Sequence, residues 1–155
     1  MNHDLDLPEL EFLYEADIDL APPEVHGRTP QGERAVHIIE SGKVTGRLSG
    51  TVLPGGGNWG MTQPDGVGEL DVRCTFRLDD GALVYVTYFG RTRLSPEATA
   101  AREAGQAPTR DSYYFYITPY FSTSSEKHGW LNSTVGVGLG YMRPGGVRYR
   151  VFACT

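Results

Sequence analysis

Residues 67–90 read VGELDVRCTFRLDDGALVYVTYFG. In the first half, Leu70, Val72, Cys74, Phe76 and Leu78 alternate with Glu69, Asp71, Arg73, Thr75 and Arg77. A period of two puts every apolar side chain on one face of an extended chain, the signature of a half-buried strand. Asp80-Gly81 then separates this run from a second one rich in Val and Tyr, and Asp-Gly between two such runs is a strong hairpin signal.

Similar runs recur in both directions. Strands are expected at 11–18 (EFLYEADI), 33–39 (ERAVHII), 44–53 (VTGRLSGTVL), 113–121 (YYFYITPYF), 134–142 (TVGVGLGYM) and 147–153 (VRYRVFA). In 44–53 the glycines Gly46 and Gly50 share the register of Val44, Leu48 and Val52, where they permit the bends a barrel needs. RPGG at 143–146 is a further turn. One helix is expected in SPEATAAREAG, 95–105, with Ser95 as its cap, Pro96 in the first position and Gly105 ending it. Residues 1–10 and 21–31 read as irregular. The fold class that follows is all-β: a closed antiparallel β-barrel of about eight strands with one short helical insertion, in a single domain spanning residues 1–155. Closure removes the exposed edges that a flat sheet would leave.

Composition agrees with this. Twenty glycines and ten prolines imply many turns, and nine tyrosines with six phenylalanines favour strands. The formal net charge of −5 gives no general attraction to nucleic acid or an anionic membrane. No apolar run approaches the roughly 20 residues of a spanning helix, and the acidic N-terminus lacks the pattern of a signal peptide. Cys74 and Cys154 form no metal-spaced or redox motif, which suits two free thiols in a cytoplasmic protein or, alternatively, one disulfide. His3, His26, His37 and His128 have no metal-ligand spacing, so no metal site is expected.

GTVLPGGGNWG, residues 50–60, has five glycines in eleven positions. A phosphate-cradling loop would open a helix and present a Lys-Ser/Thr pair, and neither follows here. Trp59 suits a flexible linker poorly. The stretch is expected to end a strand and turn Asn58 and Trp59 over one mouth of the barrel, where the tryptophan is either a plug or a pocket wall.

Taken together, GRLSGTVLPGGGNW, DGVGELDVRCTFRLDDGALVYV, YYFYITPYFST and WLNSTVGVGLG resemble, in order and spacing, the DUF3237 family, also called UPF0311, over about residues 10 to 153. The resemblance implies a compact antiparallel barrel similar to those of the allene oxide cyclase or dirigent kind. It implies little about chemistry, since fold does not fix function.

Asp71 and Arg73 lie two apart on one strand and so share a face. Within a closed pocket, Asp71 would serve as a base and Arg73 would hold an anionic group; otherwise the two belong to a solvated face of alternating charges. YYFYITPYF places six aromatic rings in nine positions, either as core or as the wall of a pocket for a flat ligand, with Tyr116 as acid or oxyanion donor. Tyr114 belongs to the same run, and Tyr85 and Tyr88 lie on the neighbouring hairpin. HGWLNST adds Trp130 and Asn132, the latter as a turn cap or a ligand contact. The candidate catalytic residues are therefore Asp71, Arg73 and Tyr116. The candidate binding residues are Asn58, Trp59, Tyr85, Tyr88, Tyr114, Trp130 and Asn132.

Two functions fit these features. One is a cofactor-free isomerase, cyclase or lyase that acts on a small aromatic or polyketide-like molecule by general acid–base catalysis. The other is a non-catalytic carrier of a small hydrophobic ligand. The expected partner is a small molecule, with no nucleic acid and no membrane, and a homodimer is compatible with such a barrel.

Overall fold

A computed structural model describes residues 6–155. The first five positions of the segment expected to be irregular lie outside the described residues; residues 6–9 are without regular structure. The elements in chain order are β1 (Leu10–Leu20), β2 (Glu24–Thr29), β3 (Gly32–Gly46), β4 (Gly50–Val52), β5 (Gly57–Asn58), β6 (Met61–Thr62), β7 (Gly68–Leu78), β8 (Leu83–Leu94), α1 (Pro96–Glu103), β9 (Tyr113–Ser122), β10 (Gly136–Arg143) and β11 (Gly146–Cys154).

All strand pairings are antiparallel, and the path β1-β11-β10-β9-β8-β7-β4-β3 closes where β1 pairs β3 from Tyr14↔Gly46 to Leu20↔Ile39. The result is a closed barrel with eight positions in its wall, because β4, β5 and β6 share the place between β3 and β7. β7 and β8 pair without a register break from Gly68↔Thr92 to Arg77↔Leu83, joined through Asp80-Gly81. Gly81 takes φ +86, and the Asp80 carboxylate accepts the Ala82 N–H at 3.0 Å. That turn chemistry explains why the hairpin is so legible.

Three expectations change. Residues 44–53 are two strands rather than one: Gly46 adopts φ +124, the chain turns over 47–49, and β4 starts at Gly50. Residues 24–29, expected to be irregular, form β2, which pairs the first half of β3 where β3 extends past the barrel rim. β2 is mostly exposed and half polar, so it carries no alternation to read.

The glycine-rich stretch 50–60 is not a turn over the mouth. It runs inside the wall as an interrupted strand. Leu53 N–H donates to the Thr75 carbonyl at 2.9 Å, Ile39 N–H to the Gly56 carbonyl at 2.8 Å, and Trp59 N–H to the Asp71 carbonyl at 2.9 Å. β3 and β7 clasp it closely, and a Cβ on Gly60 would collide with the Glu69 carbonyl oxygen.

The interior is filled at one end and hollow at the other. At the filled end Tyr14 meets Phe76 edge to face at 5.3 Å and Phe121 at 6.2 Å, within a cluster that includes Leu13, Leu48, Val84 and Leu131. Aromatic pairs in this geometry add about 0.5–1.5 kcal/mol beyond the area they bury. At the other end the β8–β9 connection forms α1. The Ser95 hydroxyl caps the helix by accepting the Ala98 N–H at 3.1 Å, and Ala98 is wholly buried in the core. Both cysteines are free, Cys74 buried and Cys154 half-buried. No helix among the described residues is long and apolar enough to cross a membrane.

Candidate active site

At the α1 end the hollow opens into a cavity of about 650 Å³, within the roughly 300–1,000 Å³ usual for small-molecule sites. Its apolar wall comes from inward positions of the barrel strands, among them Ile18, Ile39, Leu70, Val72, Phe115 and Val147. Its polar groups come from several strands and from α1. His37 (β3), Asn58 (β5), Tyr88 (β8) and Tyr149 (β11) line it, and Arg102 of α1 and Arg143 stand at its mouth.

Tyr88 and Tyr149 meet edge to face at 5.2 Å, and Phe115 packs on Tyr149 at 5.6 Å. Burial raises both phenols well above the ordinary tyrosine range, and for Tyr88 the neighbouring Tyr149 adds to the effect. Both are neutral proton donors at physiological pH. Burial also pushes the Cys74 thiol up to about 12, which leaves it a core residue rather than a nucleophile.

His37 is lowered from the ordinary histidine value, first by burial and second by the charge of Arg102. Its imidazole is therefore neutral at pH 7, with one ring nitrogen able to donate and the other to accept. Its Nδ1 is shut off from solvent and has no hydrogen-bond partner among the described residues. Such an atom costs free energy unless a ligand or water satisfies it.

Asn58 stands opposite His37 across the β3–β5 ladder. Its Oδ1 accepts the backbone N–H of Gly60 and of Asp71, each at 3.0 Å, and so replaces a carbonyl where the broken strand leaves the ladder. Arg143 is held by Asp17 at 2.8 Å and Asp19 at 2.6 Å, which fixes it as a strut of the rim.

Of the residues expected from sequence, the structure brings Asn58 and Tyr88 to the cavity. Asp71 and Arg73 point out of the barrel with Arg73 Nη2 3.8 Å from Asp71 Oδ1; their side chains are 37% and 59% exposed. The alternation that places Val72 inside places both of them outside. Tyr116 lies on the outer face of β9, its ring 4.7 Å from that of the exposed Tyr114 and under the Arg110 guanidinium. Tyr85 is 46% exposed on β8. Trp59 sits in a shallow outer recess with Leu53, Arg73 and Tyr85.

Trp130 and Asn132 belong to the opposite end of the barrel. Arg47 stacks on the Trp130 ring at 4.0 Å, and Asn132 clamps both backbone groups of Thr123 at 2.8 and 2.9 Å. His128, also at that end, bonds Asp80 at 2.7 Å and ties the β7–β8 turn to the loop before β10. Among the described residues no group of three or more His, Cys, Asp and Glu side chains could hold a metal.

Sequence reasoning missed His37, Tyr149 and Arg102. A signal for the first two existed. His37 shares its parity with Ala35 and Ile39, and Tyr149 with Val147 and Val151, all on inward positions. Arg102 is positioned by α1, and no local pattern marks it.

Comparison with known proteins follows the same lines. Residues 8–154 match the family described as protein of unknown function, DUF3237. A UPF0311 protein of Clostridium acetobutylicum is 38% identical over 107 residues, 68% of each chain. The crystal structure of a conserved protein of unknown function from Rhodopseudomonas palustris superposes with a TM-score of 0.89 at 26% identity, covering 97% of this chain and 100% of that one. The hydroalkoxylation enzyme phnH of Penicillium herquei is 27% identical over 132 residues, 84% of this chain and 73% of that protein.

Proposed function

The chain belongs to the DUF3237 family, and from that premise we propose that it is a cofactor-free enzyme that isomerises or cyclises a small aromatic or polyketide-like molecule inside its barrel by general acid–base catalysis. One observation carries the reading: a neutral imidazole and two neutral phenols, from three different strands, line one largely apolar hollow. The distant likeness to an enzyme of Penicillium herquei supports the catalytic reading over that of a passive carrier.

Hydroalkoxylation denotes the addition of an O–H bond across a carbon–carbon double bond, and the groups here suit a reaction of that kind. His37 takes the proton from a hydroxyl of the substrate. The oxygen adds to a conjugated double bond of the same molecule, and the electron pair moves onto the conjugated carbonyl as an enolate. Tyr88 or Tyr149 donates a hydrogen bond to that oxygen, and the imidazolium proton returns to carbon. One O–H bond and one π bond are replaced by a C–O and a C–H bond, so no oxidant or reductant is needed and the mass is unchanged. The apolar wall keeps water from competing.

Incubation of the purified protein with a metabolite extract of its own host tests this. The expected result is one compound consumed and another of identical mass formed at a new retention time. His37→Gln is expected to slow the conversion by about 10²–10⁴, the usual contribution of a positioned acid–base group. A conversion that persists in His37→Gln and disappears in Asp71→Asn would contradict the proposal.

A further inference from the structure

We propose that the ligand of this cavity carries an oxyanion on a flat apolar body, and that Arg102 of α1 binds that oxyanion at the mouth. The inference deepens the enzymatic reading above and depends on its cavity. Three arginines line the hollow, and their surroundings separate them. Arg143 is neutralised by Asp17 and Asp19. Arg34 spends its guanidinium on the Trp59 carbonyl at 2.8 Å and the Met61 sulfur at 3.8 Å. Arg102 is exposed, and its guanidinium has no carboxylate within 4 Å and no hydrogen-bond partner among the described residues. It is nonetheless close enough to His37 for its charge to act on the imidazole.

The position of Arg102 in the last turn of α1 suits the helix dipole, but that partial charge leaves the guanidinium fork open to a planar oxyanion. The floor offers the Tyr88 and Tyr149 hydroxyls and His37. Two carboxylates line the cavity: Glu33 is exposed and in register with Thr62 at the outermost end of β3, four strand positions or about 13 Å from His37, and Glu69 is paired with Arg91 at 3.6 Å and accepts a hydrogen bond from Gln63. In a chain of net charge −5, an unneutralised cation facing an apolar hollow is a local feature and not the result of a general basic excess. An oxyanion held there places the apolar body of the ligand in the barrel and its acidic end beside the imidazole.

The test uses two fluorescent probes with the same ring system, 8-anilinonaphthalene-1-sulfonate and the uncharged N-phenyl-1-naphthylamine, titrated against wild type, Arg102→Gln and Arg77→Gln. Arg77 lies on the outer face of β7, and its substitution controls for overall charge. Wild type is expected to bind the sulfonate about ten-fold more tightly than the neutral probe. Arg102→Gln is expected to lose that preference without losing the neutral probe, and Arg77→Gln to keep it. Equal affinities in wild type, or a preference that survives in Arg102→Gln, would overturn the oxyanion site while leaving the cavity in place. Failure of wild type to bind either probe would overturn the cavity reading itself, and this proposal with it.

Discussion

His37 and Asn58 face each other across the β3–β5 ladder on the inner side of the barrel wall. Asn58 is immobilised by the two backbone N–H groups whose hydrogen bonds it accepts, so the imidazole stands beside a rigid amide while its own Nδ1 lacks a partner among the described residues. A histidine held in this way has a definite pH signature. Burial and Arg102 both lower its affinity for a proton, so the unfolded chain protonates this side chain at a higher pH than the folded one does. Stability is then complete above about pH 6.5, the unperturbed value, and falls as pH drops below it towards the folded value. Imidazole chemical shifts recorded against pH should give a midpoint below that of a free histidine. Arg102→Gln should raise the midpoint part of the way, because burial is the larger cause. His37→Gln should flatten the stability profile below about pH 6.5.

The contrast between filled and hollow ends predicts opposite responses to a larger side chain. Val84 is fully buried among packed neighbours, whereas Val72 lines the cavity. Val84→Phe should destabilise by about 1–3 kcal/mol through overpacking. Val72→Phe should cost under about 1 kcal/mol, because the added ring enters empty space and buries apolar area. Urea denaturation of the two variants beside wild type measures the difference.

Glycine in the broken strand answers to close backbone approach rather than to flexibility. A Cβ on Gly60 meets the Glu69 carbonyl, while one on Gly129, in the loop before β10, meets nothing within 4 Å. Gly60→Ala should cost about 1–3 kcal/mol or more as the wall shifts to make room. Gly129→Ala should stay within about 0.5 kcal/mol of wild type. Thermal unfolding of both variants checks the pair.

These contrasts show which parts of the molecule local sequence encodes. Leu70 to Leu78 alternate without exception, and the β7–β8 hairpin closes on Asp80-Gly81, so the antiparallel barrel is legible from residues that face each other. β2 escaped because a strand at the rim with two exposed faces needs no apolar alternation. The broken strand escaped because its ladder bonds are shared between β3 and β7, and Pro54 and the glycines mimic a turn.

For the site, parity was the neglected clue. Once Leu70, Val72 and Cys74 are assigned to the interior, Asp71 and Arg73 are consigned to the outside, however well a carboxylate and a guanidinium suit catalysis. His37 and Tyr149 obey the same rule on their own strands. What alternation does not encode is whether an inward face is filled. Tyr14, Phe76 and Phe121 meet across one end, while at the other Tyr88, Tyr149 and Phe115 pack on one another along the wall and leave the cavity beside them open. That outcome depends on side chains far apart in the chain, and on α1, whose Arg102 reaches the mouth only after folding.

The central claim is that binding and chemistry occur inside the barrel and not on its outer aromatic and charged face. Native mass spectrometry after exposure to a host metabolite extract tests it directly, with wild type, Asp71→Asn and Ala35→Trp compared side by side. Ala35 lines the cavity near its rim and is only half-buried, so an indole there blocks the hollow without disturbing the packed end. The account predicts a small molecule retained by wild type and by Asp71→Asn and lost from Ala35→Trp. Equal retention by Ala35→Trp, or loss in Asp71→Asn alone, would place the site on the outer wall and contradict it.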